Sequence, residues 1–386
     1  MSHYRRNGAL VGWGPTVQEI DHLAKLFAEI RHIGCLHSEA APASALPYSA
    51  RNIHFIPVRP LGGKSLGKKL AILAEAPSYL MTMRQHLGWA DVVHVRCPAN
   101  VPLLAILLLA IVRQPSYRWV KYAGNWQPDG QEAWSYTLQR WWLNRGLHRG
   151  IVTINGRWPG QPDWVYSFLN PCLTLTDIEE ANKITAGKKI DSPLQMLFVG
   201  RVEAAKGVGR ILEIALALKN QGIFFQLHIV GDGPQQPTFA DWVQDHGLAP
   251  NVVFHGWLPR TALPQLYARA HFFLFPSASE GWPKVLSEAM AYGAVPLAGA
   301  VSSIPQILPE TGAGQAFNPF DTRAFVQAII SYLNRKDEWQ KASLAGRQAA
   351  SLFTYEAYLT KVQETCRHAW GLSLSCRANI IASVIH

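Results

Sequence analysis

Short apolar runs alternate with longer stretches of helical spacing along nearly the whole chain. In the first half, 10–12, 30–36, 53–58, 91–95, 118–122 and 150–154 read as strands, and 17–29, 64–87, 102–112 and 131–147 as helices. Thr16 and Glu19 have the spacing of a capping box at the first of these helices. The second half repeats the pattern. Strands are predicted over 194–199, 224–230, 252–255, 271–275 and 295–297, and helices over 207–220, 236–246, 263–269, 284–292, 321–334 and 356–370. Such alternation predicts mainly parallel sheets with helices on both faces, because a parallel neighbour needs a crossover.

The polar stretch 179–193, with Lys183, Gly187, Lys188 and Lys189, reads as a linker. The predicted organisation is an N-terminal Rossmann-like domain over 1–185 and a second over 186–352. A terminal helix and tail over 353–386 are expected to pack back on the first domain. A length of 386 residues agrees with two domains. Two doubly wound α/β domains facing each other across a cleft would place ligands at the carboxyl ends of their strands.

The longest apolar run, 101–112, would span about 18 Å as a helix against a hydrocarbon core of about 30 Å. It reads as a helix buried on all sides within a domain. No apolar stretch follows the opening Met-Ser-His-Tyr-Arg-Arg, so a secretory signal is not expected.

Composition narrows the picture. Hydrophobic residues make up 48% and charged residues 16%, which excludes a disordered chain. Five scattered cysteines without a CxxC pair argue against a disulfide framework or a zinc knuckle and fit a reducing cytoplasm. The net charge of +10 is uneven: residues 1–190 carry +9 and residues 191–386 carry +1. A basic first half suits an anionic partner, either a membrane surface, a phosphorylated substrate or nucleic acid; a basic surface kept for solubility is the plain alternative. No nucleic-acid module is recognisable, so no nucleic-acid partner is expected.

Seven of the 14 tryptophans fall between Trp119 and Trp164. Trp134, Leu138, Trp141 and Arg145 form a helical stripe that reads first as a core-facing contact, with sugar stacking and membrane contact as alternatives. The helix 64–87, with Lys64, Lys68 and Lys69 beside Leu66, Leu70, Ile72 and Leu73, is the expected membrane-facing element.

Candidate chemistry lies in the second half. The strand 194–199 ends in Gly200-Arg201, and Lys206-Gly207 opens the next helix. Two fixed cations beside a helix N-terminus describe a diphosphate clamp. A second strand ends in Gly231-Asp232-Gly233-Pro234, a weaker signal. The sharpest string runs from Ser277 to Gly293: Glu280-Gly281-Trp282-Pro283-Lys284-Val285 leads into a helix that carries Glu288. Two acids eight residues apart on either side of a helix start are poorly placed for one metal. They can bracket an extended polyhydroxylated ligand, one on sugar and one on ribose hydroxyls.

These strings, together with Phe198-Val-Gly-Arg201, Val253-Phe-His-Gly256 and Pro276-Ser277, resemble the nucleotide-sugar-binding domain of the family 4 retaining glycosyltransferases of GT-B architecture. The resemblance is strong over 194–300 and weak to about 370. It implies that Arg201 and Lys206 hold the donor diphosphate beside Gly200 and Gly231, that Glu280 meets the donor sugar and Glu288 the ribose, and that amides around Gly281, Trp282, Lys284 and Val285 touch sugar and phosphate. Glu280, Lys206 and Arg201 would be the catalytic set. It implies transfer from a nucleotide diphosphate-sugar to a hydroxyl acceptor with retention, no cofactor, no metal, and a role in cell-envelope or exopolysaccharide synthesis on the cytoplasmic side.

The first domain would take a glycan or lipid-linked acceptor, with peripheral membrane contact through its basic surface. Its acceptor-side candidates are Gly14, His94, Arg96 and Asn125. The family often carries a histidine at the end of a central strand there, whereas here the strand ends in Gly124-Asn125-Trp126. Two other readings stay open: a non-catalytic membrane-surface scaffold derived from such an enzyme, and a GT-B-like nucleotide-sugar epimerase. A phosphorylase would need a cofactor lysine that has no evident place.

Overall fold

The computed structural model describes residues 1–60, 66–128, 130, 132–375 and 379–386, and the side chains of 66–74 are not described. Lys64, Lys68, Lys69, Leu66, Leu70, Ile72 and Leu73, the expected membrane-facing set, therefore lie outside this description. The chain divides into two compact units, Met1–Phe168 with Tyr358–His386, and Leu169–Ala357. The crossing thus falls at 168/169 rather than at 185/186, and the chain returns to the first unit at 357/358. Each unit is a Rossmann-like α/β fold.

In the second unit six parallel strands run in the order Val252–Gly256, Phe225–Val230, Leu194–Val199, Phe272–Phe275, Val295–Gly299, Gln315–Phe317. The central strands are apolar along their length because helices cover both faces, so no polar alternation survives. The segment read as a linker begins instead inside the helix Leu175–Ile184. Thr174 caps that helix, its Oγ accepting from the Asp177 amide at 3.1 Å while Asp177 accepts from the Thr174 amide at 2.7 Å. The polar residues of 179–184 are the solvent side of a capped surface helix.

The first unit has a ten-stranded sheet. Its parallel part runs Ile53–Val58, Glu29–Leu36, Ile381–Ile385, Val92–Cys97, Tyr117–Tyr122, Ile151–Asn155, Val165–Phe168. Ser2–Arg6, Ala9–Trp13 and Ala45–Pro47 extend it, with antiparallel pairing among themselves. A strand at the far end of the sequence, Ile381–Ile385, sits in the middle of this sheet and pairs on both sides.

Two local expectations are corrected here. The helix Gly14–Leu23 starts before Thr16 and has no side-chain cap, and Glu19 is fully buried. The apolar run forms the helix Asn100–Ile111, but only Val101, Pro102, Ala105, Ile106 and Leu109 are buried. Ile111 is 80% exposed. Among the described residues no helix is long and apolar enough to cross a membrane.

Candidate functional site

The second unit gathers its chemistry where three adjacent strands end. Gly200 follows Leu194–Val199, Gly231 follows Phe225–Val230, and Pro276-Ser277 follows Phe272–Phe275. Two glycines permit the close packing of these ends. Gly231 has φ +125°, and a Cβ there would meet the Gly200 carbonyl oxygen at 1.9 Å. Gly207 has φ +85°, and its Cβ would meet the Pro276 carbonyl oxygen at 2.3 Å. Their first role is therefore backbone against backbone, with approach to a ligand resting on that packing.

The packing sets Lys206, on the turn Ala204–Lys206, against the loop after Phe275. Lys206 Nζ donates to Glu280 Oε1 at 2.6 Å, and Ser277 Oγ donates to the same oxygen at 2.8 Å. Lys206 is 28% exposed and Glu280 12%. Arg201 stands further out, 68% exposed, with Glu203 at 3.4 Å. A charge-assisted pair thus joins two of the three residues expected to do the chemistry.

Trp282 is a structural plug. Its ring stacks on Phe353 at 5.0 Å and 5°, and its indole N–H donates to Ser287 Oγ at 2.8 Å. These contacts hold the loop Gly281-Trp282-Pro283 against the first turn of the helix Lys284–Ala291, where Val285 sits. Cys172 Sγ donates to the Lys284 carbonyl at 3.5 Å.

Glu288 has different surroundings. Its Oε2 accepts from Tyr267 Oη at 2.8 Å, and it lines a cavity of about 300 Å³ with Asp177, Arg260 and Tyr292. Burial and the Glu288 carboxylate raise the Tyr267 phenol well above its ordinary value, so it remains a donor. Arg260 donates to the Cys172 carbonyl at 2.8 Å and to Asp177 at 3.2 Å.

The first unit has a cavity of about 550 Å³ at the carboxyl ends of its strands, lined by Tyr4, Trp13, Thr16, Arg96, Gly124 and His386 among others. Arg96 donates through both terminal nitrogens to Glu19, whose Oε1 also accepts from Lys121 at 2.6 Å and from Tyr358 at 3.2 Å. Behind His386 runs a chain of rings, its histidines buried and its tyrosine half-buried: His32 Nε2 lies 2.9 Å from His386 Nδ1, and Tyr48 Oη lies 2.8 Å from His32 Nδ1 and 2.9 Å from His3 Nε2. Charge pairing and a tautomer-defined chain thus stiffen one side of this cavity.

Of the acceptor-side candidates, Arg96 lines this cavity. His94 is not among its lining residues: it is 1% exposed and packs on Trp119 at 3.9 Å. Burial and the Arg96 charge hold it well below the usual histidine range, which removes it as an acid or base near neutral pH. Asn125 Oδ1 accepts from the Gln127 amide at 3.1 Å in a local turn. The Gly14 amide donates to the Ser44 carbonyl at 3.3 Å, and Gly14 opens the helix Gly14–Leu23. Lys121, Tyr358, His32 and His386 escaped the sequence reading, and Glu19 entered it only as a cap, since their partners lie far away in the chain.

Residues 180–349 match the family model described as glycosyl transferases group 1. The chain is 29% identical over 147 residues to the putative colanic acid biosynthesis glycosyltransferase WcaL of Escherichia coli K12, covering 36% of each. It is 28% identical over 176 residues to the sulfoquinovosyl transferase SQD2 of Arabidopsis thaliana, covering 45% of this chain and 33% of that one. The aligned part is thus about a third of the length of these relatives. Among solved structures, Anabaena HepE in complex with UDP and glucose superposes with a TM-score of 0.64 at 16% identity, covering 92% of this chain and 96% of that one. The sucrose-phosphate synthase of Thermosynechococcus elongatus gives 0.61 at 18% identity, covering 92% of each. The superposed structures show the fold, two Rossmann-like units as in the GT-B architecture, and residues 180–349, within the second unit, are similar to the group 1 glycosyl transferases.

Proposed function

We propose that the protein transfers a sugar from a nucleoside-diphosphate donor to a hydroxyl acceptor, with retention at the anomeric carbon and without a divalent metal, in polysaccharide or cell-envelope glycan synthesis. The observation that carries this is the Lys206–Glu280–Ser277 cluster at the strand ends of the unit that matches the glycosyl transferases. Similarity to enzymes named for colanic acid and lipopolysaccharide synthesis supports the pathway class. UDP, bound in the HepE structure, is the first nucleotide to test.

In this reading the diphosphate leaving group gains charge as the glycosidic bond breaks. Arg201, Lys206 and the N-terminal turn of Lys284–Ala291 are the cations and dipoles that stabilise it. Glu280 holds sugar hydroxyls and Glu288, beside Tyr267 and Arg260, takes the ribose. With no enzyme nucleophile assigned, the acceptor attacks the face that the diphosphate leaves, and the diphosphate takes the acceptor proton.

A panel of nucleotide-sugars, scored for thermal stabilisation and for hydrolysis, tests the proposal. One donor should stabilise the protein beyond its free nucleotide, and Lys206→Met should abolish turnover. No stabilisation by any nucleotide would sink the reading.

A further inference from the structure

The stripe that the sequence suggested as a core contact faces outward. On the helix Trp134–Asn144, Trp134 is 73% exposed and Trp141 48%. Arg145, one turn beyond Trp141, places its guanidinium 5.5 Å from that indole ring. Leu147 and Arg149, just after the helix, are exposed as well.

A second helix end joins this surface. The buried Arg118 guanidinium donates to the carbonyls of Leu109, Val112, Arg113 and His148. It thereby ties the end of Asn100–Ile111 to the end of the tryptophan helix, so exposed Ile111 and Arg113 stand near Leu147 and Arg149. Residues 133–162 contain no Asp or Glu, and the preceding acid, Glu132, is held by Arg140. The surface is therefore aromatic and aliphatic, bordered by Arg113, Arg145 and Arg149, which among the described residues form no ion pair.

We propose that this face of the first unit lies on a lipid bilayer that carries anionic headgroups. Indoles settle at the boundary between headgroups and acyl chains, being apolar with one polar edge. Arginines beside them meet lipid phosphates, each strengthening binding about fivefold, the equivalent of about 1 kcal/mol. A second copy of this chain fits less well, because it would bring Arg113, Arg145 and Arg149 against the same three cations. The contact lies on the membrane rather than across it. It does not depend on the proposed transfer reaction.

Co-sedimentation with vesicles tests it, using phosphatidylcholine alone and phosphatidylcholine mixed with phosphatidylglycerol. The protein should bind the mixed vesicles and leave the neutral ones in the supernatant. Trp134→Ser with Trp141→Ser should weaken binding at least tenfold, and Arg145→Gln with Arg149→Gln about 25-fold, while flattening its salt dependence. All four side chains are solvent-facing, so the variants should melt like the parent, which a thermal scan checks. Bilayer-embedded brominated lipid should quench fluorescence of the parent more than that of the tryptophan variant. Equal binding to both vesicle types, or unchanged binding by the tryptophan variant, overturns the proposal. So does a dimer seen by light scattering that the tryptophan substitutions dissolve.

Discussion

Lys206 and Glu280 satisfy each other in the free protein, and this has a consequence of definite sign for donor binding. A diphosphate entering the cluster competes for Lys206 Nζ with a carboxylate 2.6 Å away, and it also feels that carboxylate as a like charge. Glu280→Gln removes the like charge and leaves only a weaker neutral acceptor beside Lys206 Nζ, while keeping the shape and the acceptance from Ser277 Oγ. A hydrogen bond to a charged group contributes about 1.5–3 kcal/mol. The lysine is 28% exposed, so screening reduces this. A gain of about 1–2 kcal/mol is expected, or roughly 5- to 30-fold tighter binding of free UDP. The sugar should lose its contribution at the same time, since the group proposed to hold its hydroxyls has lost its charge. Titration calorimetry with UDP and UDP-glucose on both proteins reads the two effects separately. The parent should prefer UDP-glucose, and the variant should bind UDP more tightly with little preference between the two. Weaker UDP binding by Glu280→Gln would refute the competition, and Lys206→Met should move UDP affinity the opposite way.

Three further outcomes concern the scaffold. Glu19→Gln leaves Arg96 and Lys121 without their shared carboxylate inside the first unit, at a cost of about 3–5 kcal/mol; calorimetry should show a melting point lower by roughly 6–20 °C, and a fall under about 2 °C would mean that the pair is dispensable. Burial lowers His3 to about 3 and His148 to about 4, so both are neutral in the native state while the unfolded chain takes up protons below about pH 6.5. The unfolded state then binds more protons, and stability drops as pH falls from 6.5 towards those values, by about 2 kcal/mol per histidine at pH 5; urea midpoints that stay constant from pH 7.5 to 5 would contradict this. Gly231→Ala drives a Cβ into the Gly200 carbonyl and should cost the second unit about 3 kcal/mol or more, whereas Gly222→Ala, with φ +73° and nothing within 4 Å, should cost only about 1–2 kcal/mol of backbone strain; equal losses in denaturant titrations would remove the packing argument.

The two units differ in how far their sequence betrays them, and the difference is whether a recognisable local string marks each residue. In the second unit the buried parallel strands read as plain apolar runs, so Leu194–Val199 is found with the bounds expected, as is the helix Leu263–Arg269 from its helical spacing. Its candidate chemistry is marked by the strings around it: Lys206 and Glu280 are 74 residues apart, but each follows a recognisable strand end. In the first unit no such string marks the partners. Glu19 has the spacing of a cap with Thr16, whereas the cations it meets lie 77 and 102 residues away, and His386 meets His32 across 354 residues. Ser2–Arg6 is a polar strand whose buried His3 is made tolerable by Tyr48, and no hydrophobic count can anticipate that. A tryptophan stripe has the same spacing whether it faces a core or a bilayer, so only the fold could turn Trp134 and Trp141 outward. The family model matches residues 180–349, within the second unit. If the transfer reaction is as proposed, acceptor choice resides in the first unit. There the cavity beside Arg96 and His386 is assembled from segments at opposite ends of the chain, so changes to either segment should alter acceptor use before they alter donor binding.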